Sequence, residues 1–162
     1  MPSIEEAVSE AHWDLGRQLI LEYADSLGVD LSFQSFEGEV ADLRAAYGRP
    51  SGRLLLALDG ESALGCVAFR PLDSHICEMK RLYVRPLARG AGVARLLAER
   101  AILSAREAGY AAMRLDTLPS MTEARALYAT LGFRLIAPYR FNPVAGTAFL
   151  ELALRDVDRE DS

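Results

Sequence analysis

Between a strand-like run and a helix-periodic run the chain carries Val84-Arg85-Pro86-Leu87-Ala88-Arg89-Gly90-Ala91-Gly92-Val93-Ala94-Arg95-Leu96-Leu97, and this handover constrains what can be built around it. Ile76 to Val84 has strand character, and the residues after the glycines keep apolar side chains at helical spacing as far as Ala108-Gly109. The glycines therefore fall where a strand passes into a helix. The first turn of a helix has N–H groups with no internal partner and the positive end of the helix dipole. Gly90 and Gly92 let an anion reach that backbone without a Cβ in the way. A pyrophosphate suits such a place.

Two better-known phosphate loops do not fit. A dinucleotide-binding G-x-G-x-x-G needs glycine where Arg95 stands, and a Walker loop needs a Gly-Lys-Ser/Thr ending that is absent from the stretch. What does fit is Arg/Gln-x-x-Gly-x-Gly/Ala, read as Arg89-Gly90-Ala91-Gly92-Val93-Ala94. A second block follows a helix and a strand later, Ala124-Arg125-Ala126-Leu127-Tyr128-Ala129-Thr130-Leu131-Gly132-Phe133, which matches A-x-x-L-Y-x-x-x-G-F. In this order the two blocks resemble the acetyl-coenzyme A signature and the following tyrosine helix of the GNAT N-acetyltransferases.

The periodicities along the chain predict a compatible order of elements. Ser3 to Val8 reads as an edge strand, Ala11 to Leu27 as an amphipathic helix stopped by Gly28, and the residues from Phe36 to Gly48 as a second helix after a loop from Asp30. Phe33 and Phe36 read as core anchors. Arg53 to Leu58, Ala63 to Phe69 and Ile76 to Val84 read as three antiparallel strands, with Asp59-Gly60 as a hairpin signal. In the third of them a period of two puts Glu78, Lys80, Leu82 and Val84 on one face, and Cys77, Met79, Arg81 and Tyr83 on the other. A helix from Ala91 to Ala108 uses Val93, Leu96, Leu97, Ala101 and Ala105 as its sheet-facing stripe. Its crossover makes the strand from Tyr110 to Leu118 a parallel neighbour. Ser120-Met121-Thr122-Glu123 reads as a capping box for a helix ending at Gly132, and Phe133 to Ile136 and Thr147 to Leu154 close the sheet.

Composition narrows the class. The 162 residues make one domain with a frayed tail over 155–162, and 51% hydrophobic with 25% charged residues is a globular balance. With no secretory leader pattern and no long uncharged apolar segment, the expectation is a cytoplasmic protein with no membrane partner. Cys66 and Cys77, with His12 and His75, have neither metal-ligand nor disulfide spacing, so no metal is expected. A net charge of −5 argues against nucleic acid as a partner. Cations nevertheless crowd the central motif. A polyanionic ligand competes with plain solvation for Arg85, Arg89 and Arg95.

The resemblance implies the GNAT fold over nearly the whole chain, an α/β (α+β) architecture in which about four helices flank a central mixed, mostly antiparallel sheet of about seven strands. It implies acetyl-CoA as cosubstrate, with Arg89, Gly90, Ala91, Gly92, Val93, Ala94 and Arg95 on its pyrophosphate, and the backbone of Leu82, Tyr83 and Val84 beside the acetyl group. Tyr128 matches the family tyrosine that donates to the coenzyme sulfur; read without the motif, it is a core or surface aromatic. With reference pKa values of about 10 for tyrosine and about 8.5 for a thiol, full proton transfer to the thiolate is uphill by roughly 2 kcal/mol. A hydrogen bond is then the more useful contribution. Glu78 is the carboxylate placed to take a proton from an ammonium substrate, as a glutamate does in the histone-acetylating branch; equally, it reads as the ion-pair partner of Lys80 or Arg81. Many members carry asparagine seven positions before the tyrosine, where this chain has Met121.

The implied partner is a small-molecule or peptide amine, bound to a monomer or homodimer. Gln34, Glu37, Tyr139, Arg140, Phe141 and Asn142 fall on the variable acceptor side. Arg70, Arg81 or Arg140 could hold a carboxylate, which favours an amino acid or related small amine. The competing class is an acyl-CoA-binding regulatory or interaction module without turnover.

Overall fold

The computed structural model describes residues 2–28 and 36–155. The chain runs β1 (Ser3–Glu6), α1 (Glu10–Leu27), α2 (Phe36–Ala41), α3 (Leu43–Tyr47), β2 (Arg53–Asp59), β3 (Ser62–Pro71), β4 (Ile76–Val84), a 3-10 turn (Pro86–Ala88), α4 (Val93–Glu107), β5 (Ala112–Thr117), α5 (Thr122–Thr130), β6 (Arg134–Ile136) and β7 (Ala148–Ala153). The strands form one sheet in the order β1-β2-β3-β4-β5-β7-β6. Every adjacent pair is antiparallel except β4 with β5, where the α4 crossover enforces the parallel neighbour expected of it.

Both sheet faces are covered, which is why β2 and β3 read as near-continuous apolar runs. On one face Leu55, Ala57, Val67, Phe69, Cys77, Met79 and Leu115 pack against Val93, Leu97, Ala98, Ala101, Ile102 and Ala105 of α4 and Tyr128 of α5. On the other, Leu54, Leu56, Leu58, Cys66, Ala68 and Tyr83 meet Leu19 and Ile20 of α1 and Leu43 and Tyr47 of α3. The buried stripe of α4 is rotated from the expected one. Ala98 and Ile102 join the i, i+4 row from Val93, while Leu96 is exposed.

Several local expectations are corrected. The second helix is two short ones, because Asp42 leaves the helix to accept a hydrogen bond from Ala45 N–H and so caps α3. Ser120 does not cap α5. Met121 N–H bonds to Leu118 O at 3.0 Å, so Ser120 is spent inside a tight turn, and Met121 holds the cap position without a side-chain cap. With the second helix divided, the described residues hold five α-helices around the seven-stranded mixed sheet, in keeping with the α/β architecture expected. Phe33, Gln34 and the loop 29–35 lie outside the described residues, as does the tail over 156–162; Arg155, placed at its start, donates to Gly109 O at 2.6 Å.

Candidate active site

The site begins where two neighbouring strands part. β4 and β5 are in register over only three pairs, Ile76 with Ala112, Cys77 with Met113 and Glu78 with Arg114. Beyond them both strands line a cavity of about 740 Å³, β4 with Met79 to Val84 and β5 with Leu115 and Asp116. The cavity crosses the sheet. Val93, Ala94, Leu127 and Tyr128 line it from the α4/α5 side, and Tyr23, Lys80, Arg81, Tyr83, Asp116 and Asn142 from the α1/α2 side.

A bulge in β4 decides which side chains face which way. Cys66 pairs with Tyr83 and Ala68 with Lys80, so Val67 stands opposite two residues, Arg81 and Leu82, and Arg81 has φ 62°. The extra residue breaks the period of two read for this strand. Cys77, Met79, Leu82 and Val84 pack on the α4 side, whereas Tyr83 joins the α1 side, where Arg81 also points. Arg81 is held there by Glu39 of α2, through Nε to Oε2 at 2.9 Å and Nη2 to Oε1 at 2.8 Å.

Glu78 sits at the apex of the parting strands, fully buried, and is not itself a cavity-lining residue. Its Oε2 accepts from Tyr139 Oη at 2.7 Å and pairs with Arg140 Nη2, while Oε1 lies 3.6 Å from Arg70 Nε and 3.8 Å from Lys80 Nζ. Both of the expected neighbours are thus accounted for: Lys80 shares the carboxylate, and Arg81 is committed to Glu39. Burial pushes the Lys80 ammonium down to about 7, with the positive charge of Arg81 adding to the effect and the negative charge of Glu78 opposing it.

The glycine loop has the geometry the sequence requires of an anion cradle. Gly90 (φ 86°) and Gly92 (φ 79°) both lie in the left-handed region, and a Cβ on either would project into open space. Gly92 caps α4, and the first helical bond is Leu96 N–H to Gly92 O, so the N–H groups of Val93, Ala94 and Arg95 precede any intrahelical acceptor. Arg89, Gly90, Gly92, Val93, Ala94 and Arg95 line the cavity, and Ala91 does not. Of the three arginines expected near a polyanion, Arg85 is taken internally, by Glu22 at 2.7 and 3.0 Å and by Ala63 O at 2.8 Å. Arg89 donates to Val84 O, and Arg95 reaches Glu99 and Thr130.

Tyr128 is buried among α4-side apolar residues, edge-on to Phe133 with ring centroids 5.5 Å apart, yet it lines the cavity. Burial raises its hydroxyl above the ordinary tyrosine value, and the charge of Asp116 adds to this. Met121 lines the cavity at the position where the family pattern has asparagine. Asp116, which sequence reasoning passed over, accepts from Asn142 Nδ2 at 3.2 Å. Its only sequence signal is a charge at an inward position of a strand. The fact that this position faces a gap is a property of the sheet.

The chain matches the Acetyltransferase (GNAT) family over residues 8–133. It belongs to the GNAT family. An uncharacterised N-acetyltransferase of Schizosaccharomyces pombe is 40% identical over 140 residues, covering 85% of this chain and 86% of the relative. Among solved structures, a GNAT-family acetyltransferase of Staphylococcus aureus superposes with a TM-score of 0.79 at 18% identity, covering 96% of this chain and 100% of that one. An acetyltransferase of Salmonella typhimurium, solved with its cofactor acetyl-CoA, superposes with a TM-score of 0.69 at 20% identity, covering 96% and 95%.

As a GNAT member the chain is an acetyl-CoA-dependent N-acetyltransferase. Its residues fit that cosubstrate. The open Cβ space at Gly90 and Gly92 leaves the helix N-terminus accessible, and the cavity continues from this loop to the parting strands. Among the described residues no group of three or more His, Cys, Asp or Glu is placed to hold a metal ion, and no helix is long and apolar enough to cross a membrane.

Proposed function

We propose that this GNAT enzyme transfers acetyl to a primary amine of a small molecule or peptide by direct attack in a ternary complex. The observation that carries the reading is one continuous cavity that crosses the sheet, with the glycine cradle and Tyr128 on one side and polar side chains on the other. Acetyl-CoA supplies an activated acyl carbon and a thiolate leaving group. The loop from Arg89 to Arg95 offers backbone N–H groups to the pyrophosphate. The backbone of Leu82, Tyr83 and Val84 faces the opening and offers a donor to the carbonyl oxygen.

In the balanced reaction the amine nitrogen bonds to the acyl carbon, the carbon–sulfur bond breaks, and the ammonium nitrogen gives up two protons, one released to solvent and one, in net terms, to the departing sulfur. Tyr128 acts at the sulfur. Because burial holds its proton more tightly, its part is a hydrogen bond to the leaving thiolate rather than complete transfer. For Glu78 the surroundings support the ion-pair reading: with Tyr139, Arg140, Arg70 and Lys80 around it, the carboxylate positions cations beside the cavity. A cytoplasmic place of action belongs to the same proposal, supported by two buried free cysteines. The test is a screen of amines that follows free CoA. Acceptor-dependent release supports the transferase, whereas acetyl-CoA binding without release from any amine would make the chain a binding module.

A further inference from the structure

One proton of the transfer is carried neither by Tyr128 nor by Glu78. An acceptor that attacks as a neutral amine still has to lose a proton from its nitrogen as the amide forms, and the departing sulfur has to gain one. Tyr128 holds its own proton tightly, and Glu78 does not line the cavity.

Asp116 stands where both needs meet. It lies two residues beyond Arg114, the last β5 residue paired with β4, and is still held on its other side by the register with Phe149 of β7. Leu115 beside it packs on the α4 side, so the alternation of the strand turns Asp116 to the cavity from the α1/α2 side. Its carboxylate is fixed by a neutral partner. Asn142 Nδ2 donates to Oδ2 at 3.2 Å, and the Asn142 amide is itself oriented by Val144 N–H, which donates to its Oδ1 at 2.9 Å. Arg125 ties the same connection to the end of β5, donating from Nη2 to Gly146 O at 2.7 Å and to Thr117 O at 2.9 Å. Among the described residues Asp116 enters no ion pair, so no resident cation has to be displaced before a substrate nitrogen reaches it.

Its charge reaches the tyrosine that serves the sulfur. Burial raises the hydroxyls of Tyr23 and Tyr128, and the negative charge of Asp116 raises both further. Attacking nitrogen and departing sulfur are bonded to one carbon in the tetrahedral intermediate, so the group that relieves the nitrogen must sit close to the one that serves the sulfur. Among the described residues the carboxylates lining the cavity are Asp116 and Glu123. Glu123 is exposed in the first turn of α5, which leaves Asp116 on the far side of the sheet.

We propose that Asp116 is the proton carrier of the reaction: it accepts the second proton of the acceptor nitrogen as the amide bond forms and returns it to the sulfur as the thiolate leaves. The inference rests on the transferase reading above and adds a catalytic residue to it. The ammonium first loses one proton to solvent, since moving a proton from a free ammonium ion to a carboxylate is strongly uphill. The neutral amine then donates a hydrogen bond to Asp116 while its lone pair forms the bond to the acyl carbon. The nitrogen, now positively charged, is more acidic than a free ammonium ion because amide conjugation develops as its proton leaves, and that proton moves to the carboxylate. The carbon–sulfur electron pair departs with the sulfur. The carboxylic acid, a stronger acid than a thiol, protonates the thiolate beside Tyr128, and Asp116 is ionised again.

The experiment takes the acceptor with the fastest CoA release in the amine screen and follows a single turnover of wild type, Asp116→Asn and Asp116→Ala, with acetyl-CoA binding read from its shift of the melting temperature. Both variants should keep that shift and lose roughly 100- to 10,000-fold in single-turnover rate, the range of general acid–base catalysis. Added formate, a carboxylate small enough for the space vacated, should restore part of the rate to Asp116→Ala and none to Asp116→Asn, whose amide still fills the place. An aspartate that only supports the fold would show no such difference. A wild-type rate in either variant, or a loss in Asp116→Ala that formate leaves unchanged, would overturn the proposal and leave the transferase standing. So would failure of both chains to fold, which would make Asp116 a structural residue. Acetyl-CoA binding by the wild type without CoA release to any amine would overturn the transferase reading and this proposal with it.

Discussion

Arg81 and Glu39 form a two-pronged ion pair in which both side chains are almost wholly removed from solvent, at 3% and 2% exposure. The pair fastens the left-handed residue of the β4 bulge to helix α2. Burial pushes the Glu39 carboxyl up, but the hydrogen bonds and charge of Arg81 outweigh it and hold the group below its usual value. Glu39→Ala leaves a buried guanidinium without its counter-charge and should cost about 3–5 kcal/mol in urea unfolding. Because the folded-state pKa is depressed, the pair's contribution is present above the unfolded carboxyl value. It is lost as pH falls through the folded one. Glu39→Gln should therefore flatten the acid limb of the stability curve below about pH 4. An unaltered acid limb would show that the pair contributes nothing to the pH dependence.

Gly92→Glu should abolish acetyl-CoA binding measured by calorimetry. It places bulk and negative charge in the space the cradle leaves open, at a position whose φ of 79° already penalises a side chain. Gly92→Ala carries the backbone strain, about 1–2 kcal/mol, without the charge. It separates destabilisation from electrostatic exclusion. Full affinity in a folded Gly92→Glu chain would remove the loop from the site.

Tyr128→Phe keeps the ring against Phe133 and removes only the hydroxyl. Acetyl-CoA affinity should change little, and the single-turnover rate should fall roughly 10- to 1000-fold if the hydrogen bond forms mainly in the transition state. A rate equal to wild type would make the tyrosine a packing residue.

Glu78→Gln keeps the shape and removes the negative charge that Arg70, Lys80 and Arg140 share. As an ion-pair centre Glu78 should cost about 3 kcal/mol of stability or more when neutralised, while the ascending limb of kcat against pH keeps its midpoint. Disappearance of that limb, with stability intact, would instead make Glu78 the base.

What the sequence made legible was local or motif-borne. The strand-to-helix glycine loop, the Tyr128 helix, the hairpin at Asp59-Gly60 and the parallel crossover all leave marks within a short stretch of chain. What it hid depends on partners distant in sequence. Arg85 reads as a candidate for an anionic ligand until Glu22 of α1 is seen to claim it. The period of two that puts Leu82 on the face of Glu78 and Lys80 holds only until the bulge shifts Leu82 to the opposite face, because a bulge is defined by the register with β3. Asp116 looks like any strand carboxylate. Only the early end of pairing at Arg114 puts it on the rim of a cavity.

The three paired residues that join β4 to β5 also divide the sheet into two halves, β1 to β4 and β5 to β7, pinned at one apex. Glu78 lies at that apex, drawing in Arg70 from the first half and Tyr139 and Arg140 from the connection between β6 and β7 in the second. One carboxylate thus acts as a rivet through both halves. The opening in which the chemistry occurs is braced from beneath by a carboxylate removed from solvent, where dissolved salt screens charge far less than at the surface.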